Sequence, residues 1–127
     1  MEKEVKLAKP ILIVDDSASM RQMISFTLED AGYEVTSANN GKDALGKIEQ
    51  KAFKLVITDL NMPEMDGIQL ITNLRAKATY RFLPIIMLTT ESNDDKKKLG
   101  TKAGASAWIV KPFTPEKLIE IIKKYVP

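Results

Sequence analysis

Two versatile residue types are missing altogether: the 127-residue chain has no histidine and no cysteine. Without histidine there is no imidazole general base, no Ser-His-Asp triad and no phosphohistidine carrier role, and most zinc sites are excluded. Without cysteine there are no disulfides, thiolate metal sites or thiol nucleophiles, in keeping with an expected cytoplasmic location. No apolar run approaches the ~20 residues that a spanning helix needs. The first ten residues, Met1 to Pro10, mix charges and lack the apolar core of a signal peptide. No membrane insertion is therefore expected. The net charge is only +2, and no basic stripe with interleaved aromatics occurs, so nucleic acid is not an expected partner. Carboxylates, hydroxyls and ammonium groups are what remains for chemistry.

What is present is a globular composition, 44% hydrophobic and 28% charged. Residues 1–9 read as a flexible, solvated tail, and residues 10–127 as one domain. Leu55-Val56-Ile57-Thr58 runs without alternation into Asp59, as a strand buried on both faces would. Ile11-Leu12-Ile13-Val14 repeats the pattern and ends in Asp15 and Asp16. Ile85-Ile86-Met87-Leu88 ends in Thr89, and Ala107-Trp108-Ile109-Val110 ends in Lys111. Residues 33–38 alternate, as a half-exposed edge strand does.

Helical spacing fills the intervals. Met20, Met23, Ile24, Thr27, Leu28 and Ala31 predict a helix over about 17–31, capped by Ser17 or Asp16 and ended at Gly32. Asn39-Asn40-Gly41 turns into a helix with Ala44, Leu45 and Ile48 inward. Another helix, about 67–77, carries Ile68, Ile71 and Leu74 on one side. The 93–103 helix is the weakest: it has Lys96, Lys97 and Lys98, few apolar anchors, and an interior Gly100 that costs ~1 kcal/mol against alanine. A capping box from Ser92 to Asp95 is expected to start it, and the segment is expected to be the mobile one. Thr114 caps the last helix, with Pro115 at its first position. Five strand-helix repeats make an α/β fold, an open parallel sheet with helices on both faces.

In a parallel sheet all strands end on one edge, where open α/β folds bind ligands. Asp15, Asp16, Asp59, Thr89 and Lys111 are thus expected to converge. At ~5 Å and an effective dielectric of ~20, each carboxylate pair costs roughly 3 kcal/mol. A hard divalent cation relieves that repulsion, and an oxygen-only site suits Mg²⁺. A carboxylate nucleophile, Mg²⁺, an ammonium and a hydroxyl are together what in-line phosphoryl transfer to aspartate requires.

The motifs Val14-Asp15-Asp16-Ser17, Asp59 with Met62-Pro63 and Asp66-Gly67, Thr89, and Lys111-Pro112-Phe113 span residues 10–126. In this order and spacing the chain resembles the receiver domain of two-component response regulators, and within that family the stand-alone chemotaxis members. The resemblance implies a flavodoxin-like (βα)5 fold with strand order 2-1-3-4-5. It implies that Asp59 accepts a phosphoryl group from the phosphohistidine of a sensor histidine kinase. Asp16, Asp59 and the Asn61 backbone carbonyl would ligate Mg²⁺ (or Mn²⁺ as a substitute), with Asp15 acting through water. Lys111 would contact the phosphoryl group, with a cis Lys111-Pro112 bond, and Thr89 and Trp108 would form the switch. Asn61 and Glu91 occupy the positions that tune dephosphorylation. The protein would be a monomer without an attached output domain, and would catalyse only its own phosphorylation and dephosphorylation. It would meet its protein target on the face formed by the last two helices and the strand between them, with a phosphatase as a possible further partner.

Trp at the switch position departs from the commoner Tyr or Phe. The last helix is also rich in apolar residues, so Ile119 or Ile121 is expected on a partner surface beside the lysine-bearing helix. Two rivals differ in class. A small-molecule aspartyl-phosphate phosphatase needs a second aspartate where Asn61 stands. A non-phosphorylated pseudo-receiver would leave the acidic cluster without a use.

Overall fold

Strands that are apolar on both faces demand cover on both, and the fold supplies it. The computed structural model describes residues 8–127; the reading of residues 1–9 as a tail falls mostly outside them. The elements in order are β1 (Pro10–Val14), α1 (Ala18–Asp30), β2 (Glu34–Ala38), α2 (Gly41–Lys47), β3 (Leu55–Thr58), α3 (Gly67–Arg75), a 3₁₀ turn (Ala78–Tyr80), β4 (Ile85–Thr89), α4 (Asp94–Ala103), β5 (Ala107–Val110) and α5 (Pro115–Tyr125). All strand pairs are parallel, and the order is β2-β1-β3-β4-β5, as expected. The chain winds outward from β1 to β2, then crosses back to β3, which leaves a crevice beyond the carboxyl ends of β1 and β3.

The period of two along each strand sorts the core into two layers. Ile11, Ile13, Leu55, Ile57, Ile86 and Leu88 meet Ile24 and Leu28 of α1 and Leu118 and Ile122 of α5. Leu12, Val14, Val56, Ile85 and Met87 meet Ala44 of α2 and Leu70, Ile71 and Leu74 of α3. In β1, β3 and β4 every residue but Pro10 is buried. Each such Val, Leu, Ile or Met stabilises the fold by about 1.5–3 kcal/mol relative to exposure. The side chains just past these strands therefore stand on a stiff frame. β2, at the edge, is only partly buried as expected of an edge strand, but its burial rises from Glu34 to Ala38 and does not alternate with the sequence.

Helix boundaries follow the expected caps with informative exceptions. Ser17 caps α1 by accepting from the Met20 N–H, and Gly32 follows at φ 97°. Met23 is 44% exposed and Ala31 lies outside the helix on the surface. Ile24 and Leu28 are buried against the sheet and Met20 packs partly beside them, so the apolar stripe is narrower than the sequence spacing predicts. In α3 it is Leu70, rather than Ile68, that joins Ile71 and Leu74 in full burial. The cap of α4 is Asn93 and not Ser92: its Oδ1 accepts from the Asp95 and Lys96 N–H groups. The third helical residue is then Lys96, which has no acceptor to return, so the expected capping box cannot form. A complete capping box occurs instead at Asp66 and Gln69 of α3. Thr114 and Pro115 start α5 as predicted.

Candidate functional site

Strand register brings the acidic residues together. β1 and β3 pair Val14 with Thr58, and the Asp59 N–H continues the ladder to the Val14 carbonyl at 2.9 Å. Asp15 and Asp59 are thereby delivered side by side. One carboxylate oxygen from each of Asp15, Asp16 and Asp59 lies within 4.8 Å of the others. Asp15 is buried, Asp59 partly buried and Asp16 exposed, so the cluster opens to solvent on the Asp16 side.

The loop backbone orients two of these carboxylates. The Ser17 N–H donates to Asp15 Oδ1 at 2.9 Å, a turn in which an aspartate binds the backbone two residues on. The Leu60 N–H donates to Asp59 Oδ1 at 2.7 Å. Arg21 of α1 donates to the Asp15 carbonyl at 2.7 Å, fixing the strand end from behind. Sequence reading passed over Arg21, because an arginine one turn into a surface helix carries no signal of where its guanidinium folds back.

From β5, Lys111 reaches across. Its Nζ lies 3.1 Å from Asp15 Oδ2 and 3.5 Å from Asp59 Oδ2, with the ammonium side chain 10% exposed. The Lys111 N–H is held by the Thr89 carbonyl at 2.8 Å, and the Lys111-Pro112 bond is cis. Three carboxylates meet one ammonium, so negative charge remains in excess at a rim built only of oxygen donors. That donor chemistry fits a hard divalent cation.

Gly67 explains why a glycine follows Asp66. A Cβ there would collide with the Asp59 carbonyl and stand 2.9 Å from Met87 Sδ. The first turn of α3 is thus packed directly on the backbone of the key aspartate. Between them the loop carries Glu64 at φ 69°, a left-handed conformation that costs a residue with a side chain roughly 1–2 kcal/mol. Asn61 is exposed on this loop, and its carbonyl accepts no hydrogen bond among the described residues.

Thr89 is fully buried at the end of β4, and its hydroxyl accepts from the Glu91 N–H at 3.2 Å. It shares the edge, but its hydrogen bonds run to the loop and not to the carboxylates. Trp108 of β5 is half buried against the α2–α3 layer of the core, and its Nε1 donates to the Glu91 carbonyl at 3.0 Å. Glu91 thus bridges Thr89 and Trp108 through its two backbone groups.

This fold with this edge defines a class. The chain matches the response regulator receiver domain family over residues 11–123, and it belongs to that family. Within it, the chain is 45% identical to the chemotaxis protein CheY1 of Helicobacter pylori over 112 residues, 87% of this chain and 90% of that protein. It is 43% identical to the CheY homolog of Campylobacter jejuni, covering 87% of this chain and 86% of that one. Among solved structures, the Vibrio cholerae chemotaxis protein CheY4 superposes with a TM-score of 0.90 at 45% identity, covering 94% of this chain and 99% of that one. The protein is therefore a CheY-like receiver domain with chemotaxis response regulators as homologues.

Proposed function

We propose that Asp59 is the phosphoacceptor of a Mg²⁺-dependent signalling switch, loaded by the phosphohistidine of a sensor kinase. The observation that carries this is the Lys111 ammonium set against Asp15 and Asp59 at 3.1 and 3.5 Å. A carboxylate oxygen of Asp59 forms the new O–P bond while the N–P bond of the donor breaks, its electron pair returning to the imidazole nitrogen. Lys111 neutralises charge on the incoming phosphoryl oxygens. Asp15, Asp16, Asp59 and the Asn61 carbonyl would hold the metal. When bound, the ion supplies charge compensation that one lysine cannot give three carboxylates. No helix among the described residues is long and apolar enough to cross a membrane, which is compatible with a partner kinase meeting the site in the cytoplasm.

Phosphorylation then draws the Thr89 hydroxyl from Glu91 toward the site, and Trp108, tied to the same residue, reports the change on the surface. Asn61 and Glu91 flank the acceptor and tune the return reaction with water. The target is read by the α4–β5–α5 face. There a groove of about 470 Å³ is lined by Trp108, Val110, Pro112, Phe113, Lys117 and Ile121. Ile119 and Ile121 both pack partly against the core, but only Ile121 also lines this groove, so of the two expected contacts Ile121 is the one retained. Ile121→Glu should weaken binding of the target; unchanged affinity would remove this face from the reading.

Incubation with acetyl phosphate and Mg²⁺, followed by mass and Trp108 fluorescence, tests the acceptor. The wild type should gain one acid-labile phosphoryl group, and Asp59→Asn none. Steady turnover of diverse phosphoesters would indicate a phosphatase instead, and no modification under any condition a pseudo-receiver.

A further inference from the structure

The only residue of α4 that is buried is a glycine, Gly100. A glycine inside a helix is unfavourable against alanine, because it orders the most flexible backbone and contributes no side chain. Its presence here has a steric reason. A Cβ built on Gly100 would stand 2.7 Å from Cζ3 and 3.2 Å from Cε3 of the Trp108 indole. Neither atom is the free end of a flexible chain. The ring is fixed on its other side by the Nε1 bond to the Glu91 carbonyl at 3.0 Å. Its backbone is fixed by the β5 ladder, where Trp108 pairs with Met87.

We propose that Gly100 is the positioning residue for Trp108. The missing side chain opens a notch in α4 into which the indole edge fits, and this notch holds the indole N–H on Glu91. The enlarged aromatic and the reduced helix residue are two halves of one fit. The reading of Trp108 as a switch is assumed here, but the notch itself exists without phosphorylation. Its consequence is that the indole cannot move outward alone. It leaves the notch only as α4 and the 90–93 loop change together, because one ring edge touches the helix and its N–H holds the loop. In the unmodified protein the ring is therefore seated, and the helix is clamped by it.

Trp108 is the only tryptophan of the chain, so its fluorescence reads the notch directly. Gly100→Ala in the unphosphorylated protein should shift the emission to the red and raise quenching by acrylamide, as the ring is forced from its seat. Stability gives an independent reading. In a Trp108→Ala background, Gly100→Ala should raise the folded-to-unfolded ratio roughly fivefold, the ordinary gain of alanine in a helix. With Trp108 present that gain should vanish or reverse. A Gly100→Ala protein that fails to fold, alongside a folded double variant, would support the same conclusion. Equal stabilisation in both backgrounds, or unchanged emission and quenching, would overturn it. Absence of acetyl phosphate labelling at Asp59 would overturn the phospho-switch and leave these measurements standing.

Discussion

Helices α3 and α4 are neighbours of nine and ten residues, and they are held by different means. α3 buries Leu70, Ile71 and Leu74, starts with a complete capping box, and rests its first turn on the Asp59 backbone. α4 buries a single glycine, leaves Leu99 half exposed and turns Lys96, Lys97 and Lys98 to solvent. Its anchors are the Asn93 cap, the Trp108 edge and the Arg75 fork beyond its last turn. A core Leu truncated to Ala costs about 2–5 kcal/mol, whereas a hydrogen bond or cap contributes about 1. The lesson is that one helix belongs to the rigid frame behind the aspartate, and the next is tethered loosely enough to open locally at low cost. The proposed switch would need both: a fixed acceptor, and an adjoining element whose position can be shifted by it.

The comparison breaks first, if it is wrong, at the core. Leu74→Ala should lower unfolding stability by about 2–5 kcal/mol in urea titration. Leu99→Ala should stay within ±0.5 kcal/mol, as surface changes do. Equal losses would mean that α4 is as firmly packed as α3. Next comes the tie between the two helices. Arg75 donates from Nε and Nη2 to the Gly104 carbonyl at 3.2 and 2.8 Å, and from Nη1 to the Tyr80 carbonyl at 2.6 Å. Burial lowers the Arg75 pKa, a desolvation cost that these bonds offset. Gly104 lies at φ 119°, where a Cβ would strike Arg75. Arg75→Ala should cost about 1.5–3 kcal/mol, and Arg75→Lys should not restore it, since a point charge cannot serve both carbonyls from one planar fork. Full rescue by lysine would show that charge alone holds the helices together.

Much of this was readable in the chain before any coordinates. Apolar runs ending in Asp15, Asp59 and Thr89 state that those strands are buried, and the run before Lys111 adds a fourth end to the same edge, although β5 itself is only partly buried. The structure gathers Asp15, Asp16 and Asp59, with Lys111 on Asp15 and Asp59. That worked because a period of two and a carboxyl terminus are local properties of a strand. What escaped depends on partners far away in sequence. Gly100 reads as a weakness until Trp108 is seen against it, and Gly67 reads as a helix start until the Asp59 carbonyl is found beneath it. Arg75 and Arg21 carry no local mark of the carbonyls they reach. The choice between Ser92 and Asn93 as a cap turned on a shift of one residue, which decides whether the third helical position holds an aspartate that can accept or a lysine that cannot.

That one-residue shift gives the smallest and most discriminating effect. Asn93 Oδ1 accepts from two amides at once, at 2.8 and 3.2 Å, and its own N–H is taken by the Glu91 carboxylate at 2.9 Å. The site-proximal end of α4 therefore hangs on the same residue that joins Thr89 to Trp108. Asn93→Ala should cost about 1 kcal/mol, with the loss confined to α4. Amide exchange at Lys96 and Lys97 should accelerate while the amides of α3 and the central strands keep their protection. A loss spread evenly over both helices would show that α3 and α4 open as one cooperative unit, and the proposed division between frame and tether would no longer describe this protein. Confinement to α4 would show that the cap near Thr89 can open without disturbing the carboxylates, the mechanical separation a phosphorylated Asp59 needs if it is to move a helix and keep its own geometry.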